Sequence, residues 1–325
     1  MSPGRYVVIG GGLLGAHTAC LLAAGGERVA IYSRSFTPWL LEMRASGLDL
    51  ELVEGELPPG AQFADAPGLD DLVEDADVIF GFAGSSTPAL AASDPGASVH
   101  GSIVPALAVL ETARRVGARR VILTSSGGTV YGKAERHPTP ETAPVQPISA
   151  HGVNSLAIEM YAELYARRHG VESVVLRFSN VYGPGERARF RQGVIAAWCE
   201  ALDRGEPIVI RGSADTRRDF LYARDAASAA IAAAKVDGDR PGPYNVGAGR
   251  SWALGELIEL LSEVAGLEPD VRHERGYAVD VPVTELDTTR LREATGWTPE
   301  VSMRTGLEET WQWTRRRGAG IAEPA

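Results

Sequence analysis

Gly10, Gly12 and Gly15 stand in the spacing G-x-G-x-x-G, with Leu13 and Leu14 opening the segment that follows. That spacing suits a pyrophosphate. The first glycine permits a tight turn, the second lets backbone approach the ligand, and the third allows close helix packing. The N–H groups at the helix start then face the anion. Ser33-Arg34-Ser35 occupies the place where an acidic residue would accept hydrogen bonds from the adenosine ribose. It offers no carboxylate, whereas Arg34 could pair with a 2′-phosphate and Ser33 could donate to it, which favours NADP over NAD. A solvent-facing arginine at a strand end is the other reading of Arg34. Further along, Thr124 to Gly132 reads TSSGGTVYG and gathers hydroxyls behind a buried run. Ser126 and Thr129 could position a sugar hydroxyl or polarise a carbonyl, or else bond locally to their own turn.

These groups need a sheet edge to meet on. Tyr6 to Ile9 is a short apolar run, the glycines follow, Ala16 to Ala24 reads as a helix, and Arg28 to Tyr32 is a second run. Strand, turn, helix and strand within about 30 residues make a βαβ unit and favour a parallel sheet. Leu50 to Val53, Val78 to Phe82, Arg120 to Thr124 and Ser173 to Arg177 are further strand candidates. Helical patterns over Pro105 to Val116 and Leu156 to Arg168 separate several of them. Ligands in such sheets collect beyond the carboxyl ends of the strands, which places Ala83 beside the cofactor. The expected architecture is an α/β, doubly wound Rossmann-type sheet over residues 1–175, with returns near 215–245. A smaller substrate lobe takes most of 176–320, so the boundary is discontinuous.

Composition excludes several functions. The 325 residues carry 32 Lys plus Arg against 42 Asp plus Glu, a net charge of -10 that argues against nucleic acid or an anionic membrane as partner. The two cysteines, Cys20 and Cys199, make neither a disulfide framework nor a zinc cluster. The six histidines show no metal-ligand spacing, so no metal is expected. No signal-like start and no apolar run of about 20 residues is found, which makes a cytoplasmic location the default. Lys133 and Lys235 are the only lysines. That scarcity limits which residue could act as a catalytic cation.

Five ordered segments now carry a resemblance: SSGGTVYG at Ser125 to Gly132, LRFSNVYGPG at Leu176 to Gly185, RRDFLYARDAA at Arg217 to Ala227, YNVGAG at Tyr244 to Gly249, and GWTP at Gly296 to Pro299. With the glycine turn, the chain resembles the extended short-chain dehydrogenase/reductase family over nearly its whole length. The likeness is to the NAD-dependent epimerase/dehydratase branch that acts on nucleotide sugars. The resemblance implies a nucleotide-sugar substrate, with Asn180 and Tyr182 closing its site and Arg218 on its phosphate. A guanidinium suits a diphosphate because its donors form a rigid fork. Arg187, Arg189 and Arg191 alternate nearby, and Arg187 is the one carried forward as a substrate contact; solvated loop charges are the equal alternative.

The same resemblance exposes a departure. The family's Tyr-x-x-x-Lys falls on HGVNSLAIE, His151 to Glu159, so the tyrosine is His151 and the lysine is Ser155. Histidine has an ordinary pKa near 6.5, against about 10 for tyrosine, so it can exchange protons without a lysine's help. Ser155 could donate a hydrogen bond to the site or cofactor but brings no charge, and Lys133 could enter only from a loop. Gly127 stands where a catalytic Ser or Thr is usual, and Ser102 where an asparagine is usual. Ser126 compensates only if the turn rotates its hydroxyl inward.

The expected activity is therefore an atypical NAD(P)-dependent nucleotide-sugar epimerase or related sugar ketoreductase. A non-redox isomerase, cyclase or lyase using His151, or a catalytically silent dinucleotide-binding protein, are the competing readings. The resemblance also implies a homodimer through a four-helix bundle, with Ala106, Leu107, Leu110, Ala113, Ala157, Met160 and Tyr161 as contacts or, instead, as intrachain core.

Overall fold

The computed structural model describes residues 3–57, 68–84, 86–186, 193–236, 242–276 and 281–318. Its first half alternates strand and helix: β1 (Arg5–Ile9), α1 (Leu13–Ala24), β2 (Arg28–Ser33), α2 (Pro38–Ala45), β3 (Glu51–Glu54), α3 (Leu69–Val73) and β4 (Val78–Gly81). There follow α4 (Pro88–Ser93), α5 (Pro95–Val116), β5 (Val121–Ser126), α6 (Ala150–His169) and β6 (Ser173–Phe178). The second half contains β7 (Asn180–Tyr182), α7 (Val194–Arg204), β8 (Ile208–Arg211), β9 (Arg217–Tyr222), α8 (Ala223–Ala233) and β10 (Tyr244–Val246). It closes with β11 (Ser251–Ala253), α9 (Leu254–Ala265), β12 (Val271–Glu274), α10 (Thr289–Thr295) and α11 (Met303–Gly318).

Seven parallel strands form the main sheet in the order β10-β6-β5-β4-β1-β2-β3. Strand periodicity sorts their side chains onto two faces. Val8, Ile31, Phe80 and Ile122 join one apolar core with α1 and α8, through Ala16 and Ala226. Val7, Ala30, Ile79 and Leu123 join another with α3, α5 and α6, through Leu69, Val109 and Ile158. Helices on both faces make this a doubly wound Rossmann-type fold. A third core gathers Tyr182, Trp198, Phe220, Leu257 and Trp311 beneath the sheet β11-β9-β7 and the β12-β8 pair, forming the C-terminal lobe. No helix among the described residues is long and apolar enough to cross a membrane.

The expected strands are present with ends shifted by a residue or two, but α5 begins at Pro95, ten residues before the expected start at Pro105. Asp94 caps it by accepting from the Ala97 N–H at 2.9 Å. Pro105 inside a helix leaves the carbonyl four residues earlier without its donor. Here the Ser86 N–H donates to that carbonyl, on Gly101, at 3.3 Å. The helix therefore runs through its proline, whereas α6 starts at Ala150, close to the start near Gly152 that the proline-rich break at Pro138 to Pro147 implies, taking His151 and Ser155 into its first turns.

Candidate active site

A cleft of about 1550 Å³ opens along the carboxyl edge of the sheet, between the main sheet and the C-terminal lobe. At one end lies the glycine turn. Gly10 has φ +116°, and a side chain there would strike the backbone of Phe82 and Ala83 at 2.6 Å. A Cβ on Gly15 would lie 1.9 Å from the Gly10 carbonyl oxygen, so the third glycine alone lets α1 pack against the turn. Around Gly12 nothing lies within 4 Å of that direction. The middle glycine is the open one, and α1 begins behind it without a side-chain cap. Leu13, Leu14 and Ala83 line this end, as do Ser33 and Arg34. The Ser33 hydroxyl donates to the Ser35 carbonyl at 2.8 Å, and Arg34 sits 3.6 Å from Glu56.

At the middle of the cleft the turn after β5 meets the first turn of α6. Gly152 makes that approach: a Cβ there would lie 2.6 Å from the Thr129 carbonyl oxygen. Ser126, Thr129 and His151 all line the cleft, whereas Gly127 does not. A Cβ on Gly127 would fall 2.5 Å from a methyl of buried Leu286. The turn thus presents Ser126 to the cleft and backs Gly127 onto core. Burial holds the His151 imidazole below its usual pKa, so the ring is neutral near pH 7. Its Nδ1 is buried without a partner. Ser155 is buried, donates to the His151 carbonyl at 2.9 Å, and is not among the cleft-lining residues. Lys133 is exposed and is likewise outside the lining set.

Beneath this corner lies a polar network. Arg177 forks onto Glu159 at 2.9 and 2.7 Å, with both side chains nearly buried. The Ser125 hydroxyl donates to Glu159 at 2.5 Å, and Arg177 also reaches the Tyr131 hydroxyl at 2.8 Å, which in turn donates to Asn245 at 2.7 Å. His151, Ser155 and Glu159 follow one another four residues apart on α6, so the network and the cleft share a helix face.

In the C-terminal lobe Asn180 and Arg218 line the cleft. Arg218 is steadied by donating to the carbonyls of Arg217 and Val281 at 2.9 and 2.8 Å. Arg187, Arg189 and Arg191 lie outside the described residues. Asp219 is fully buried and accepts from the N–H groups of Ala248 and Leu286 at 2.8 and 3.2 Å, while Asp225 accepts from those of Glu300 and Val301 at 3.1 and 2.8 Å. Both are anchors of the lobe. His17 crosses the gap between the halves. Its Nε2 lies 2.8 Å from the Pro184 carbonyl oxygen, and its ring stacks on Trp39 at 3.9 Å. Burial lowers its pKa to about 4, so the ring is neutral and Nε2–H is the donor.

Sequence reasoning missed several cleft residues. Glu56, Ser179, Glu186, His100 and Arg211 all line it. Glu56 was findable, because the ends of parallel neighbours β2 and β3 share one edge; His100 was hidden by the late start assigned to its helix. Thr129 Oγ1, His151 Nδ1, Glu186 Oε2 and Trp313 Nε1 are buried without a hydrogen-bond partner among the described residues. Thr129, His151 and Glu186 belong to the residues that line the cleft.

Comparison with known proteins agrees with this geometry. A family model described as "NAD dependent epimerase/dehydratase family" matches residues 6–247. The chain is 30% identical over 241 residues to UDP-glucose 4-epimerase of Mycolicibacterium smegmatis, covering 74% of this chain and 77% of that one. Among solved structures, UDP-glucose 4-epimerase of Thermotoga maritima with UDP-glucose superposes with a TM-score of 0.84 at 29% identity, over 96% of this chain and 99% of the other. The Thermus thermophilus UDP-glucose 4-epimerase complex with NAD gives 0.81 at 26% identity, over 96% and 99%.

Proposed function

The chain belongs to the NAD-dependent epimerase/dehydratase family, and on that premise we propose that it is an NAD-dependent nucleotide-sugar enzyme of the 4-epimerase type in which His151 handles the proton. The observation that carries this reading is the shared cleft: Ser126, Thr129, His151 and Asn180 line the same cavity as the glycine turn Gly10 to Leu14. The open face of Gly12 and the uncapped start of α1 suit a pyrophosphate. When bound, the nicotinamide ring supplies the hydride acceptor and donor. The protein's own residues supply the rest. Neutral His151 takes the proton of the sugar hydroxyl and returns it, a task for which a pKa near or below neutrality is suited. Ser126 and Thr129 orient that hydroxyl. Arg218 holds the diphosphate as a preset fork, and Asn180 closes the sugar site. Ser155 acts at one remove, by fixing the carbonyl of His151; Lys133 has no part.

The reading includes a homodimer. Val153, Met160, Tyr161 and Leu164 form an exposed apolar stripe on α6, with Val99 exposed on α5. A second copy related by two-fold symmetry would cover it. Ala106, Leu110 and Ala113 are buried within the chain and belong to the core instead.

One observation favours a second reading, a dinucleotide-binding protein without turnover: Ser155 turns its hydroxyl to the His151 carbonyl and, uncharged, supplies no cation there. Incubation with UDP-glucose and UDP-glucuronic acid, with products read by NMR and bound nucleotide quantified by mass spectrometry, separates the two. Inverted sugar at unchanged total NAD is the expected result. Bound NAD with no conversion of either sugar would instead assign the silent reading.

A further inference from the structure

The adenosine end of the cleft differs from what Ser33-Arg34-Ser35 implies. Ser33 spends its hydroxyl on the Ser35 carbonyl, and a Cβ on Gly11 would come within 3.1 Å of that hydroxyl, so Ser33 lies tight against the glycine turn. Arg34 does not stand alone. Glu56 faces it at 3.6 Å, and both side chains are well exposed, 62% and 70%. Between residues 9 and 57 the described cleft lining contains one cation, Arg34, and one anion, Glu56.

Glu56 is delivered to this place by its backbone. The register of β2 and β3 pairs Ser33 with Glu54, and the Gly55 N–H continues the ladder to the Ser33 carbonyl at 3.0 Å. A side chain on Gly55 would strike the Tyr32 ring at 2.4 Å, so glycine is what lets the chain lie across that ring. The Tyr32 hydroxyl then donates to the Glu56 carbonyl at 3.1 Å.

We infer that Glu56 supplies from β3 the carboxylate that the end of β2 lacks, and that it selects a dinucleotide with a free ribose 2′-hydroxyl over one carrying a 2′-phosphate. The inference rests on the dinucleotide reading above and names the specificity-determining residue of that site. An exposed ion pair at this separation is weak, so the carboxylate is free to exchange Arg34 for ribose hydroxyls, which donate to it in charge-assisted bonds. A 2′-phosphate would meet a like charge there, which offsets the attraction of Arg34.

Titration calorimetry with NAD and with NADP, on the full chain and on its Glu56→Gln and Arg34→Ala variants, tests this. Both sites are exposed, and circular dichroism verifies that each variant is folded. The wild-type protein is expected to bind NAD about tenfold or more tighter than NADP, and Glu56→Gln to narrow that ratio at least about tenfold by releasing Arg34 and removing the acceptor. Arg34→Ala should leave NAD the preferred ligand. Preference for NADP in the wild type, or an unchanged ratio in Glu56→Gln, overturns the role of Glu56 while leaving the dinucleotide reading intact. Failure of the wild type to bind either nucleotide removes that reading and this inference together.

Discussion

The two ends of the cleft are built by different means. At the glycine turn the binding surface is backbone: a positive φ at Gly10, an open face at Gly12 and contact between Gly15 and the Gly10 carbonyl. At the His151 corner it is side chains: an imidazole, two hydroxyls and a buried ion-pair network behind them. This backbone surface has no room for a side chain at Gly10 or Gly15 but is indifferent to the chemistry performed next door. Side-chain sites can change their acid or base while keeping their frame. On the proposed reading, that difference is what lets His151 and Ser155 stand where the family resemblance expects another residue pair.

Gly15→Ala breaks the comparison at its rigid end. Its new Cβ would overlap backbone that cannot yield without opening the turn, so NAD binding is expected to vanish in calorimetry, with destabilisation of about 3 kcal/mol or more. Retained affinity would show that the turn gives way, and that the cofactor end is no more rigid than the other.

His17 sharpens the comparison, because it ties the helix behind the glycine turn to the segment after β7, stacking on Trp39 and bonding to Pro184. Buried and neutral, it has a pKa lowered to about 4, chiefly by desolvation and partly by Arg224, against the Pro184 hydrogen bond. The unfolded chain takes up this proton near pH 6.5, so the stabilisation is fully present above that value and is lost as pH falls toward 4. The shift corresponds to about 3 kcal/mol. His17→Gln keeps a donor for Pro184 and removes the titration. Denaturant unfolding from pH 7 to pH 4 should therefore cost the wild type about 3 kcal/mol more than the variant. Parallel pH profiles for the two proteins would show that this residue is not what senses acid.

Legibility followed the same division. The main sheet could be read because its strands are short buried runs, and the glycine turn because its spacing has one conformational meaning. Three features could not. The extension of α5 to Pro95 depends on a long-range donor, Ser86, that serves the carbonyl released by Pro105. The facing of Ser126 and Gly127 depends on Leu286, about 160 residues away in the chain, filling the space behind the turn. The pairing of Arg34 with Glu56 depends on β3 lying beside β2, so local reading saw a free arginine where the fold supplies an ion pair. Local patterns specify backbone; which side chain faces a cleft is settled by what packs behind it.

On the proposed reading, His151 exchanges the substrate's proton within a cleft that binds the cofactor independently. The direct measurement is turnover of the sugar nucleotide by wild type, His151→Phe and Lys133→Ala, with NAD affinity determined on each and the wild-type rate followed from pH 5 to 8. His151→Phe should lose about 10²- to 10⁴-fold in rate at unchanged NAD affinity, Lys133→Ala should stay near wild type, and the wild-type acid limb should fall below pH 6.5, as burial of the imidazole requires. Near-normal turnover by His151→Phe, with NAD still bound, would contradict it.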